Sequence, residues 1–155
     1  MATNTTAIAT RNTIDERQIR ELIDQHLEAL RRKDATALIS QYTSDTVMFT
    51  LAPPLQVTPE TSPGRSGVEQ WFAGFEGPLG FEMQDLHVAV GDDAGYCHGL
   101  LHMTATQKDG SKVDMWYRHT MGLRKLDDGW KIAHQHESVP FYMDGGFKAA
   151  TDLKP

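Results

Sequence analysis

Residues 118–140 read RHTMGLRKLDDGWKIAHQHESVP, and the fold is decided there. Asp127-Asp128-Gly129 is turn chemistry that accommodates positive φ at little cost, so the runs on either side are expected to pair as an antiparallel hairpin. Side chains on a strand alternate between two faces. Trp130, Ile132, His134, His136 and Ser138 then share one face, and Lys131, Ala133, Gln135, Glu137 and Val139 share the other. A three-residue turn pairing Leu126 with Trp130 sets Arg118, Thr120 and Gly122 opposite Ser138, His136 and His134. The expected product is a cationic, histidine-rich patch on an apolar Trp/Ile floor, and a two-residue turn at Asp128-Gly129 would turn Arg118 away from it.

Upstream, turns at Gly91-Asp92-Asp93 and Lys108-Asp109-Gly110-Ser111 divide the chain from Phe81 onward into long antiparallel strands. Pairing Gly99, Leu101, Met103 and Ala105 with Thr120, Arg118, Trp116 and Asp114 predicts two faces. A concave face holds Leu86, Val88, Gly99, Leu101, Met103, Trp116, Arg118, Thr120, Gly122, Trp130, Ile132, His134 and His136. The opposite face holds His87, Tyr96, His98, Leu100, His102, Met115, Tyr117, His119 and Met121. The second set is aromatic and Met-rich enough to read as a surface between two copies.

The N-terminal half reads as helical. Thr13-Ile14-Asp15-Glu16 is a capping box, so a helix is expected from about Ile14. Ile19, Leu22, Ile23, His26, Leu27 and Leu30 make its apolar stripe. Asp34 is placed to cap a second short helix carrying Leu38, Ile39 and Tyr42, and Thr46 to Thr50 reads as a strand. Residues 51–63 contain four prolines, which excludes a central strand and predicts a rim loop. A third helix is expected to follow Gly64, capped by Ser66 and Glu69, with Trp71, Phe72 and Phe75 on its apolar face.

The pattern R-x-T, then D-G-W-K-I, then H-x-H-x-S-x-P resembles the C-terminal hairpin of the SnoaL-like branch of the NTF2-like superfamily. The segment from Arg31 to Phe49 resembles the same superfamily's helix, elbow, short helix and first strand. The resemblance implies an α+β cone, with three N-terminal helices packed on a curved, mainly antiparallel sheet that encloses a pocket. It spans many chemistries, among them ketosteroid isomerases, polyketide cyclases, limonene epoxide hydrolases and a kinase association domain, so it speaks to fold before reaction.

Length and composition agree with one domain. At 155 residues the chain can bury a core of ordinary size; residues 13–146 are expected to form it, with flexible tails at 1–12 and 147–155. A net charge of −6 offers no basic stripe for nucleic acid. No stretch approaches a membrane span, and the N-terminus lacks the apolar region of a secretory signal. Cys97 is the single cysteine, which excludes an internal disulfide and fits a reducing cytoplasm.

The candidate catalytic groups are His26, Arg118, His134 and His136, with Tyr42, Phe49, Trp71, Phe75, Trp116 and Thr120 as ligand-binding lining. Arg118 is expected to be a clamp for a substrate carboxylate or enolate, or else an ion-pair partner of Asp114, Glu137 or Asp144. Two histidines at i and i+2 lack a third ligand on their face, so neither a metal nor another cofactor is expected. Alignment with ketosteroid isomerases places His26 at their oxyanion-hole tyrosine, Phe49 at their aspartate base, and Met121 to Leu123 at their second oxyanion acid. The expected function is isomerase, cyclase or hydratase acid–base chemistry on an apolar carbonyl compound; the alternative is a non-catalytic ligand-binding or oligomerisation module. Expected partners are a small apolar or carboxylate-bearing molecule and a second copy meeting the open sheet face.

Since none of the three steroid-isomerase groups is present in kind, purified protein should leave a 5-ene-3-ketosteroid unconverted in an absorbance assay for the conjugated ketone. Appreciable turnover would contradict that exclusion.

Overall fold

The computed structural model describes residues 3–155, with side chains described from residue 12 onward. Three helices come first or early: α1 (Thr3–Arg31), α2 (Ala35–Ser40) and α3 (Gly64–Ala73). Five strands, β1 (Tyr42–Phe49), β2 (Phe75–Val90), β3 (Ala94–Gln107), β4 (Lys112–Leu126) and β5 (Gly129–Ser138), form one sheet in the order β1-β5-β4-β3-β2. All neighbours are antiparallel except β1 and β5. This is the expected α+β architecture, three helices with one mainly antiparallel sheet.

Helix α1 starts ten residues before the expected capping box, which leaves Thr13 inside the helix rather than at its cap. The tail expected over 1–12 therefore divides: residues 1 and 2 lie outside the described residues, and 3–12 are the first turns of α1. The predicted stripe is realised, with Ile19, Leu22, Ile23, His26, Leu27 and Leu30 all buried. Asp34 caps α2 as expected by accepting from the Ala37 N–H. Ser66 and Glu69 do not cap α3: the Ser66 hydroxyl donates to the Pro63 carbonyl, and Glu69 pairs with Arg65. The segment 147–155, expected to fray, folds back on the chain. Ala149 bridges Phe141, the Ala150 N–H donates to the Pro140 carbonyl, and Ala150 is buried.

Register decides what each face carries. Across the β3–β4 turn, Leu100 pairs with Arg118 and His102 with Trp116, one residue away from the expected pairing. A one-residue slip exchanges the two faces of a strand. His87, Tyr96, His98, Leu100 and His102 thus share a face with Trp116, Arg118 and Thr120, while Met115, Tyr117, His119 and Met121 join Cys97, Leu101 and Met103 on the other. The second set is the one packed into the core with α1.

The last hairpin carries a further shift. Its far end pairs as expected, Arg118 with Ser138, Thr120 with His136 and Gly122 with His134. Near the turn Leu126 pairs with Gly129 and Leu123 with Ile132, so Ala133 is an extra residue in β5, a bulge. Trp130 and Ile132 consequently face the core, and His134 and His136 face away from it. Thr46 fixes the irregularity by donating to the Ile132 carbonyl while bonding the Thr43 hydroxyl at the matching irregularity of β1.

At one end of the core Asp15, 1% exposed, accepts from Lys125 Nζ at 2.5 Å and from Trp130 Nε1 at 3.1 Å. Removing one partner of a buried charged network costs more than an average hydrogen bond. Asp15→Ala is expected to lower unfolding free energy by about 2–4 kcal/mol, read as a lower urea midpoint at unchanged slope. A midpoint equal to the parent's would remove Asp15 from the ties that hold α1 to the sheet.

Candidate acid-base site inside the sheet

The predicted catalytic set divides between the two faces of the sheet. His26 lies inside, 2% exposed on α1. Arg118 and His136 are exposed on the open face, and half-buried His134 points the same way, so the expected cluster forms but outside the core. Among the described residues Arg118 has no ion-pair partner; of the three expected alternatives, Asp114 accepts from His102 Nε2 at 2.8 Å and lies 3.6 Å from Lys154, and Glu137 lies beside His119.

The lining residues scatter likewise. Tyr42 faces inward, whereas Thr120 is exposed on the open face and Phe49 packs edge-on to His134 and His136 there. Trp116 stacks on the His102 ring at 4.4 Å on that same open face. Trp71 is 42% exposed on α3 and touches Phe75, which belongs to β2 rather than to the helix. The corrections at Trp116 and Thr120 share one cause, the reversed face of β4.

The inner face carries a different constellation, assembled by His26 with Gln41, Tyr42, Tyr117, His119, Gln135 and Glu137. Gln135 and Glu137 lie two and four residues past the bulge at Ala133 in β5, paired with Met121 and His119 of β4. Tyr42 opens β1 opposite Ile132, and Gln41 is the residue that closes α2. The groups are linked. Tyr42 donates to Gln135 Oε1 at 2.5 Å, Gln135 Nε2 donates to Glu137 Oε1 at 2.9 Å, and that oxygen stands 3.5 Å from His119 Nδ1.

His119 is the group that this chain leaves open. It is 1% exposed, and neither ring nitrogen has a hydrogen-bond partner, a condition that burial makes costly. Glu137 beside Nδ1 favours the tautomer with its proton there, which leaves Nε2 as a lone-pair acceptor. His26 places Nδ1 2.8 Å from Gln41 Oε1, an acceptor, so Nδ1 carries the proton and Nε2 is bare.

Burial also sets the charges. Desolvation pushes His26 down from 6.5 to about 4, opposed by the Gln41 hydrogen bond and deepened by nearby His119. It raises the Tyr42 and Tyr117 phenols, with Glu137 adding to both, so both remain un-ionised donors at neutral pH. Glu137 retains 15% exposure, whereas His119 beside it retains 1%, so the nest reaches solvent on its carboxylate side. An aligned base, two neutral phenols and a carboxylate in an apolar enclosure are the components of proton-transfer chemistry.

Two other features bear on chemistry less directly. A groove of about 630 Å³ lies on the open side of the sheet between Glu76, Pro78, Thr104, Thr106, Lys112 and Asp114. Among the described residues no group of three His, Cys, Asp or Glu side chains is placed to hold a metal ion.

A family model described as a SnoaL-like domain matches residues 19–142. The chain is similar to an NTF2-like protein of unknown function from Pseudomonas putida KT2440, at 30% identity over 92% of this chain and 98% of that one, with a TM-score of 0.79. It is also similar in fold to an NTF2-like superfamily protein from Salmonella enterica serovar Typhimurium, at 18% identity over 88% and 98% of the chains and a TM-score of 0.71. A proposed scytalone dehydratase from Novosphingobium aromaticivorans aligns at 14% identity over 92% and 95%, with a TM-score of 0.72. Likeness at those two lower identities concerns fold alone. No curated protein matches the chain significantly.

The lowered His26 value has a consequence for stability. An unfolded chain takes up a proton at His26 near 6.5, whereas the folded one resists until about 4. Stability is therefore lost as pH falls through that window, by roughly 3 kcal/mol from this group. The expected result is a steeper loss between pH 7 and pH 4 for the parent than for His26→Leu in urea titrations. Parallel pH profiles would show that His26 is not the origin.

Proposed function

The chain belongs to the SnoaL-like family of the NTF2-like superfamily, and on that premise we propose that it is a small-molecule enzyme whose acid–base chemistry takes place on the inner face of the sheet. The observation that carries this reading is His119, buried with both ring nitrogens unpartnered and 3.5 Å from Glu137. The reaction class is isomerisation, cyclisation or dehydration of an apolar carbonyl compound. The names of distant relatives, among them a proposed dehydratase from Streptomyces avermitilis, support the class without fixing it.

His119 Nε2 removes a proton from the carbon next to the carbonyl, and the electron pair moves onto the carbonyl oxygen. Glu137 holds His119 in orientation and stabilises the imidazolium that forms. The un-ionised phenol of Tyr117 donates to the developing oxyanion. The imidazolium then returns its proton, to another carbon in an isomerisation or to a departing hydroxyl in a dehydration. His26 Nε2 is a second acceptor on the helix side, and Tyr42 reaches the carboxylate through Gln135. Arg118, His134 and His136 have no part in this step.

The open face has a separate role in the same reading. Tyr96, Leu100, Trp116 and five of the seven histidines lie on it, and a second copy is its proposed partner in a homodimer. Cys97, free and fully buried, fits a reducing cytoplasmic setting, and no described helix is long and apolar enough to cross a membrane.

Deuterium exchange into the acidic C–H positions of 2-tetralone, followed by NMR in heavy water, tests the reading without knowledge of the natural substrate. Exchange promoted by the parent is expected to fall about 100-fold or more in His119→Ala and Glu137→Gln, and to persist in Arg118→Ala. Loss in Arg118→Ala with retention in His119→Ala would move the chemistry to the open face.

A further inference from the structure

We infer that this inner site is built for an uncharged ligand bearing a hydroxyl or enol donor, and that it rejects the carboxylate-bearing analogue. The inference rests on the inner-face reading and names the substrate class of that site.

Three observations support it. The first is the charge around the nest. Glu137 is the carboxylate that faces it, and no lysine or arginine faces it among the described residues. Arg31 and Lys33 donate to the Phe81 and Phe75 carbonyls at the end of α1, Lys125 is held by Asp15 near Trp130, and Arg118 is across the sheet. A second carboxylate would therefore meet the first in a half-buried enclosure, where like charges repel far more strongly than in water.

The second is the balance of hydrogen-bonding capacity. Gln135 is spent in both directions, its oxygen accepting from Tyr42 and its amide donating to Glu137. The single N–H of His26 is spent as a donor to Gln41 Oε1. What remains open is mostly acceptor capacity: His26 Nε2, His119 Nε2 and the second oxygen of Glu137, against the single phenol donor of Tyr117. A ligand bringing a donor satisfies those acceptors, whereas one bringing only acceptors leaves them bare, which burial penalises.

The third is the apolar character of the core to which those groups belong. Met103, Met121, Leu101 and Phe72 are buried in the same core, with Met115 and Val139 half-buried against it. That surface suits a flat or alicyclic hydrocarbon frame, with methionine able to adapt to its outline.

A matched set of probes tests the inference by isothermal titration at pH 7. 2-Naphthol and 2-naphthoate have nearly the same outline and differ in charge. The parent is expected to bind 2-naphthol at least about tenfold more tightly than 2-naphthoate. Glu137→Gln, which removes the charge and keeps the shape, is expected to shrink that ratio to about threefold or less. Should that variant not fold, 2-naphthylmethylammonium on the parent serves instead, and it is expected to outbind 2-naphthoate. Equal binding of 2-naphthol and 2-naphthoate by the parent, or a preference unchanged in Glu137→Gln, would overturn the charge selectivity while leaving the inner site standing. Failure of every probe to bind, or naphthoate binding abolished by Arg118→Ala, would overturn the inner site as well.

Discussion

A strand sends successive side chains to opposite faces, so a single inserted residue redirects everything beyond it. In this protein the inserted residue is Ala133. Before it, Trp130 and Ile132 pack into the core; after it, His134 and His136 point outward while Gln135 and Glu137 point in. The bulge is held by Thr46, whose hydroxyl donates to the Ile132 carbonyl, and by the matching irregularity in β1 between Tyr42 and Val47. What β5 contributes to each face depends on that placement, because it sends Gln135 and Glu137 in beside His119 and leaves His134 and His136 on the open face.

The selection divides the histidines into two populations with different chemistry. His26 and His119 are buried beside a carboxylate and two phenols, where low dielectric strengthens each pairing and penalises each unpaired charge. His87, His98, His102, His134 and His136 lie across the open face, with His87 stacked on His98 and His102 on Trp116. The inner population is joined by a hydrogen-bonded chain running from Tyr42 through Gln135 to Glu137, which fixes the carboxylate against His119. Preorganisation of that kind is what distinguishes a base poised for proton transfer from a histidine that merely fills a core.

Much of the fold was legible in the sequence. The stripe from Ile19 to Leu30, the Asp34 cap and the three sheet turns occupy their expected places, because each rests on local chemistry, whereas the D-G-W-K-I hairpin pairs Leu126 with Gly129 rather than with Trp130. The proposed inner site was legible only at His26 and Tyr42. Arg118, His134 and His136 were correctly grouped, yet on the wrong side, since grouping depends on cross-strand pairing and sidedness depends on registry and bulges that no local pattern specifies. A usable signal was present in β4. Val113, Met115, Tyr117, Met121 and Leu123 alternate with Lys112, Asp114, Arg118, Thr120 and Arg124, the ordinary apolar-in, polar-out rhythm of a half-covered antiparallel sheet. Giving that rhythm precedence over the attraction of an inward arginine would have put His119 inside. Glu137 would still have required the bulge.

The most direct measurement is a long-range proton–nitrogen NMR spectrum of protein labelled at its histidine rings, recorded with and without 2-tetralone. If the inner face is the site, the ring nitrogens of His119 and His26 shift on addition of the ketone, and those of His134 and His136 stay where they are. Shifts confined to His134 and His136, with His119 unmoved, would contradict the account and return the chemistry to the open face of the sheet.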